Sequence, residues 1–400
     1  MKKLLLSLLV TLVLAGALFA AKPVFESKNA VKDTGKKSFN SDSAIETVKD
    51  MKTGWNLGNT FDATNAQNLS SETSWGQPKT TKKMIDALAA SGIKTIRIPV
   101  SWHNHLIDKN YTIDPAWMKR VKEVVDWAID DGMYVIINSH HDCWSSPSKM
   151  PYGKGYYPNS VNYEESERFL TNVWAQICLA FNKGYDEHLV FEIMNEPRLR
   201  GTSYEWWFDK NAKECLDAAE NLNKLNKLTL DVIRSSKGNN SKRFVMIPSL
   251  QASPDSAFAS EFKMPDDGKN GTSHLILSTH MYSPYTFAME SPGKREFTPQ
   301  FQSELAYAFK RLNDNFVKKG YAVVIGEYGA TNKDNLEERV KWFHAFIKYS
   351  RQYGITSCLW DNGVWVVKGN DYNEHFGYFD RSACKWFFPE ILKAIQEEAK

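Results

Sequence analysis

Two glutamates each close an apolar stretch of the chain. Glu196 follows "FEIMN", which begins at Phe191, and Glu327 follows "AVVIG", which begins at Ala322. A single acid in a loop is usually solvated or salt-bridged, but two acids that each end a hydrophobic strand suggest a shared task. Pro197 has no amide donor and so stops the first of these strands directly behind its acid. If both carboxyls reach one cleft, their separation decides the chemistry. At about 5 Å one can protonate a glycosidic oxygen while the other attacks the anomeric carbon, whereas a wider gap admits water and inverts the sugar. Glu192 lies four residues before Glu196 on the same strand and is expected to point inward, deeper in the fold, in a structural role.

The elements that must position these acids alternate along the chain. "TGWNLGN", "IKTIRIPV", "YVIINSHH", "HLVFEIMNE", "RFVMIPSL", "HLILSTHMY", "AVVIGEYG" and "ITSCLWDN" read as eight strands. Helical runs follow from near Thr80, from Pro115 to Asp131, from Val161 to Asn182 and from about Asn211 to Ser235, and again after the sixth, seventh and eighth strands. After the fifth strand, Ala252 to Gly271 reads as a loop because of Pro254, Pro265 and Gly268. Near-continuous apolar strands covered by helices imply a parallel sheet. Eight such units without a glycine-rich dinucleotide loop predict an α/β fold, a (β/α)8 TIM barrel forming a single catalytic domain.

In a barrel of this kind the strand C-termini and the loops after them build the working face. Those positions bring together Asn59, Arg97, His140, His141, Asn195, Glu196, His280, Tyr282, Glu327 and Trp360. Arg97 beneath Glu327 would keep that carboxylate ionised. Asn195 could donate to a sugar 2-hydroxyl, and Tyr282 could bond the nucleophile. The histidines suggest a rival, a metal-dependent barrel hydrolase using "HHDC", His280 and the "HNH" of His103 to His105. However, "HNH" falls inside the loop after the second strand and no HxH ends the first, so neither metal nor cofactor is expected. His103, His105, His188 and His344 are expected to be solvent-facing or hydrogen-bonded.

The bulk composition leaves these readings open and closes others. The chain has 400 residues, 42% of them hydrophobic, which can build one large core, and the formal charge of +3 with scattered lysines argues against a nucleic-acid partner. Lys2 and Lys3 precede an apolar run from Leu4 to Ala20 with small residues at the end, so residues 1–20 are expected to be an export signal. The product would be secreted, extracellular or periplasmic, with no stable membrane association after cleavage, and is expected to be a monomer. Residues 21–43 read as a polar tether, and 44–400 as the barrel, with no further module or docking repeat expected. Five cysteines at wide spacing show no CxxC pattern; export would permit one or two disulfides, but most are expected to be buried small hydrophobes.

Taken in order from Gly54 to Gly363, the stretches "GWNLGNTFDA", "TIRIPVSW", "VIINSHHD", "FEIMNEPR", "HMYSPYTFA", "VVIGEYGA" and "CLWDNG" resemble glycoside hydrolase family 5, and most closely its subfamily 4 of endoglucanases and xyloglucanases. The resemblance implies that Glu196 is the acid/base and Glu327 the nucleophile. It further implies supporting roles for Arg97, His140, His141, Asn195, His280 and Tyr282, glycone-side sugar contacts from Asn59 and Asp62, and a substrate-binding position at Trp360. The expected activity is retaining, endo-acting hydrolysis of β-1,4-glucan, with a β-glucan polysaccharide as partner. Xyloglucan and mixed-linkage glucan stand as alternatives, followed by mannan, xylan and a non-catalytic glycan-binding barrel.

Aromatics divide by position. Trp117, Trp127, Trp174, Trp342 and Trp386 fall in helical runs and are expected in the core, whereas Trp360 should floor the cleaved sugar. Trp75, Trp102, Trp144, Trp206, Trp207 and Trp365 lie in or beside active-face loops, where one or two should form further platforms.

Overall fold

The computed structural model describes residues 23–25, 28, 30–143, 155–369 and 371–400; the expected export signal and Trp144 lie outside them. The eight expected strands are β1 Thr53–Asn56, β2 Thr95–Ile98, β3 Tyr134–Asn138, β4 Leu189–Glu192, β5 Val245–Pro248, β6 Leu275–His280, β7 Ala322–Tyr328 and β8 Thr356–Leu359. They form a closed barrel in chain order, every neighbour parallel, with β8 pairing back to β1.

Strand alternation sorts the side chains into two sets. Val135, Ile137, Leu189, Phe191, Val245, Ile247, Leu275, Leu277, Val323 and Ile325 face outward into the main core shared with the helices. The residues between them, Ile136, Val190, Met246, Ile276, Val324 and Cys358, face inward and form a smaller cluster. Two residues further along each strand the interior turns polar or open: Ile136 gives way to Asn138, Val190 to Glu192, Ile276 to Ser278 and Val324 to Gly326. The barrel is therefore apolar at its base and hydrogen-bonding towards its mouth, and Glu192 sits in the polar layer.

Helix α1, Ala44–Met51, closes the base: Ser43 caps it, and Ala44, Val48 and Met51 pack on the inward cluster. The outer layer comprises α2 Lys82–Ala90, α3 Pro115–Asp130, α4 Tyr163–Ala180, α5 Lys213–Ser235, the short α6 Pro254–Phe258 and α7 Tyr285–Ala288, then α8 Pro299–Asn315, α9 Leu336–Gln352 and α10 Pro389–Glu398. The segment after β5, expected to be a loop, is irregular except for α6, which Pro254 opens, and a 3-10 turn at Gly268–Asn270.

Two local expectations need correction. Residues 30–43 are polar but are no tether. The Asp33 carboxylate accepts from the amides of Gly35, Asn182 and Gly184, Asn40 donates to Glu187, and the Phe39 ring lies 5.3 Å from that of Phe244. Trp386 is not helical: it lies in a two-stranded antiparallel ribbon, β9 Phe379–Asp380 with β10 Lys385–Trp386. Asp380 Oδ1 accepts from the amides of Ser382 and Ala383 at 2.9 Å each, which turns the chain before a helix can start. The five cysteines are free thiols and four of them are buried, in keeping with the expectation of small apolar residues. No helix among the described residues is long and apolar enough to cross a membrane.

Candidate active site

Arg97, on β2 and fully buried, organises the mouth. Its Nε donates to Glu192 Oε2 at 2.8 Å, its Nη1 to Asn56 Oδ1 at 2.9 Å and to Glu327 Oε1 at 2.8 Å, and its Nη2 to Asn195 Oδ1 at 2.6 Å. Glu192 also accepts from Asn138 Nδ2 at 2.8 Å and from Ser278 Oγ at 2.5 Å. This buried carboxylate thus balances the guanidinium from below, as its inward position on β4 led one to expect. The position of Arg97 beside Glu327 also agrees with the sequence reading.

The two acids reach the mouth by different local devices. β4 loses regular pairing after Glu192, but Ile193 N still donates to Met246 O at 3.2 Å and Asn195 N to Ser139 O at 2.9 Å, which carries Glu196 above the barrel rim. In β7 the register slips against both neighbours around Gly326 and Glu327, the kind of bulge that re-aims a side chain. Gly326 fits because a Cβ there would stand 3.1 Å from His280 Nε2 and 3.3 Å from both Arg97 Nε and Glu192 Oε1. Glu327 accepts a second bond from the Tyr282 hydroxyl at 3.0 Å.

His280 joins the acids. Its Nδ1 lies 2.8 Å from Glu196 Oε1 and 3.6 Å from Glu327 Oε2, and one carboxylate oxygen of Glu196 lies within 4.8 Å of one of Glu327. Burial works against charge on His280, but Glu327 and Glu196 outweigh it and hold the imidazole above its ordinary value. Burial would likewise raise Glu196, yet the His280 hydrogen bond and charge, helped by Arg198, hold that carboxyl below its ordinary value. The two shifts share a cause, the close approach of His280 Nδ1 to the Glu196 carboxylate, and the pair titrates as a unit.

On the opposite wall His140 and Trp360 lie parallel, with ring centroids 5.8 Å apart. His141 stands 3.8 Å from Asp62 Oδ2 and 5.4 Å, ring to ring, from Trp75. Burial pushes His140 well below the ordinary imidazole value and His141 to about 4. Asp62 departs from the sugar contact that the resemblance implies. It is wholly buried, and its oxygens accept from the amides of Asn59 and Thr60 at 3.0 and 2.7 Å. It holds the loop and faces His141 rather than the open cleft, and burial raises it to about 6. Asn59 itself is only partly buried, at a positive φ of 55°.

The metal rival's histidines do not gather into one set. His103 Nδ1 pairs with buried Asp142 at 2.8 Å, and His105 stacks on Trp117 at 3.6 Å, both away from solvent. Asp142 also accepts from the amides of Trp102 and His103, so it pins the loop after β2 to the one after β3. Among the described residues two groups bring three ligand-bearing side chains together: Asp62 with His140 and His141, and Glu196 with His280 and Glu327. His188 and His344 pair with Asp186 and Glu398 at 3.0 and 3.1 Å.

Of the aromatics, Trp117, Trp174 and Trp342 are fully buried, whereas Trp127 and Trp386 are only partly covered. Trp102, read as a possible platform, is buried with its indole N–H on Asn138 O at 2.8 Å. Trp206, Trp207 and Trp365 remain exposed, and the Arg198 guanidinium lies 4.3 Å from the Trp206 ring centre. Sequence reasoning missed Asn56, Asn138 and Arg198. The first two were visible as asparagines inside apolar strands, and Arg198 as the residue just past "NEP".

The comparisons with known proteins agree with this geometry. A family model described as Cellulase (glycosyl hydrolase family 5) matches residues 58–364. Endoglucanase B of Ruminococcus albus is 40% identical over 360 residues, spanning 90% of this chain and 81% of that protein. A solved complex of a family 5 lichenase variant from a Caldicellulosiruptor species with cellotetraose is 41% identical, with a TM-score of 0.83 over 94% of this chain and 100% of that one. A family 5 subfamily 4 broad specificity endoglucanase from Ruminococcus flavefaciens is 39% identical, with a TM-score of 0.80 over 91% of this chain and 100% of that one.

Proposed function

The chain belongs to glycosyl hydrolase family 5, and from that premise we propose that it is a retaining endo-β-1,4-glucanase acting on soluble or amorphous β-glucan. The observation that carries this reading is the approach of Glu196 and Glu327 to within 4.8 Å, oxygen to oxygen. That separation suits direct attack by one carboxylate and falls short of the about 6.5–9.5 Å that inversion requires to seat a water on the far face of the sugar.

In the proposed reaction the sugar to be cleaved lies over Trp360. Glu327, held by Arg97 and Tyr282, attacks its anomeric carbon, and Glu196 gives the shared proton to the departing glycosidic oxygen. Asn195 contributes through what it has left to offer. Because its Oδ1 is taken by Arg97, its amide N–H groups are free to donate to the sugar 2-hydroxyl. Esterification of Glu327 removes a negative charge beside His280 and Glu196, which weakens their hold on a proton. Glu196 then acts as base, drawing a proton from the incoming water as the oxygen attacks the anomeric carbon and Glu327 is released.

Secretion through residues 1–20, a monomeric state and a mature chain from about Ala21 belong to the same reading. The lichenase among the relatives supports mixed-linkage glucan as a second substrate, and the relative described as of broad specificity supports activity on more than one glucan, with xyloglucan as the alternative to test. The test is reducing-sugar release on carboxymethyl-cellulose, xyloglucan, mixed-linkage glucan, xylan and mannan, with Glu196→Gln alongside. Hydrolysis of the glucans that largely disappears in the variant is expected. Release confined to xylan or mannan would overturn the glucanase assignment.

A further inference from the structure

Asn138, the last residue of β3, makes three bonds that together leave its amide one orientation. Oδ1 accepts from Val100 N at 3.0 Å, while Nδ2 lies 2.8 Å from Glu192 Oε2 and 3.1 Å from His140 Nδ1. Turning the amide over would set its oxygen against a carboxylate oxygen and its N–H groups against a backbone N–H. The two fixed partners therefore decide which end is nitrogen, and they decide it without reference to His140. With one Nδ2 hydrogen spent on Glu192, the other points at His140 Nδ1. A ring nitrogen facing a donor must be bare, so a neutral ring carries its proton on Nε2. Among the described residues no protein group bonds that Nε2.

We propose that Asn138 is a positioning residue that fixes the tautomer of His140, so that His140 presents an N–H donor rather than a lone pair to the sugar over Trp360. The ring is neutral across the working range because it is buried and because His141, Arg97, His280 and Arg198 all oppose a further positive charge. Asn138 also ties this wall to the opposite one. The amide that orients His140 is itself oriented by Glu192, which anchors Arg97 and, through it, Glu327. The polar layer of the barrel thus sets the sugar-binding donor and the nucleophile from one connected network.

The proposal rests on the glucanase reading only for the use made of the proton; where the proton sits can be measured without any substrate. The full chain labelled with 15N-histidine would be examined by long-range 1H–15N NMR, with His140→Gln to assign the signals. A bare Nδ1 and a protonated Nε2 near neutral pH are expected. A proton on Nδ1 would overturn the proposal even if every glucan were hydrolysed. Asn138→Asp places an acceptor opposite Nδ1 and should draw the proton there, reversing the pattern. kcat/KM on cello-oligosaccharides should then fall roughly 10- to 100-fold through KM and kcat together, because a buried donor-acceptor pair has been mismatched. A folded Asn138→Asp protein with the wild-type tautomer would also refute it. Should that variant fail to fold, the wild-type spectrum alone decides.

Discussion

Replacing His280 by glutamine should move the alkaline side of the pH profile rather than simply lower the rate. The proposed productive form of the site holds one proton on the Glu196 and His280 pair, joined by a 2.8 Å bond, with the Glu327 carboxyl 3.6 Å from the same ring nitrogen. Because the imidazole is held above its ordinary 6.5, that proton is retained below the raised value and lost as pH climbs through it. The glutamine amide can keep the hydrogen bond but cannot keep the proton, so Glu196, ordinarily 4.5, must hold it alone. Ordinary carboxylate and imidazole values differ by about 2 units, and burial of Glu196 recovers part of that gap. The alkaline limb of kcat/KM should therefore fall by about 1–2 pH units. At pH 7 this is a loss of about 10- to 100-fold, with each unit equivalent to about 1.4 kcal/mol. The assay is kcat/KM for an aryl β-cellobioside with a poor leaving group, measured from about pH 4 to about pH 9. A uniform loss with the limb unmoved would refute the shared-proton reasoning, since the histidine would then matter only for shape.

Other substitutions test other parts of the site. Glu327→Gln should lower turnover of every substrate by at least about a thousandfold, whereas Glu196→Gln should retain much of the first step on a dinitrophenyl glycoside, whose departure needs no proton. Pre-steady-state bursts would separate the two. Gly326→Ala should leave a folded barrel, about 1–3 kcal/mol less stable in denaturant titration, but reduce kcat about 100-fold, because its Cβ crowds His280, Arg97 and Glu192 at once. Removing residues 23–43 should lower the melting temperature by about 5 °C, through loss of the Asp33 and Phe39 contacts at the barrel base, with kcat/KM unchanged.

The eight strands were legible because buried parallel strands must be apolar almost throughout, and the acids stood out as exceptions at their ends. The neighbourhood of Arg97 and Glu327 was readable for the same reason, since both end strands that share one mouth. What the chain concealed depends on three-dimensional register. Nothing local distinguishes the Gly326 bulge from an ordinary glycine in a strand, and it becomes meaningful only when His280, Arg97 and Glu192 close around it. Asp62 looked like a sugar contact because of the stretch it lies in, yet it is wholly buried and its two oxygens each accept a backbone amide of the turn at Asn59 and Thr60. Residues 30–43 read as a tether because their composition is polar; their anchoring combines the Phe39 ring on Phe244 with bonds to Glu187 and to backbone amides of the turn before β4, partners distant in sequence that no local pattern reveals. Trp386 shows the opposite failure, an apolar run mistaken for a helix because the Asp380 turn was overlooked.

The proposed double displacement stands or falls on the stereochemistry of the first product. Hydrolysis of a cello-oligosaccharide followed by NMR, fast enough to precede mutarotation, should show the β-anomer of the new reducing end first, as two successive inversions at Glu327 require. Initial formation of the α-anomer would mean that water, not Glu327, attacks the sugar, and would contradict the roles assigned to both glutamates.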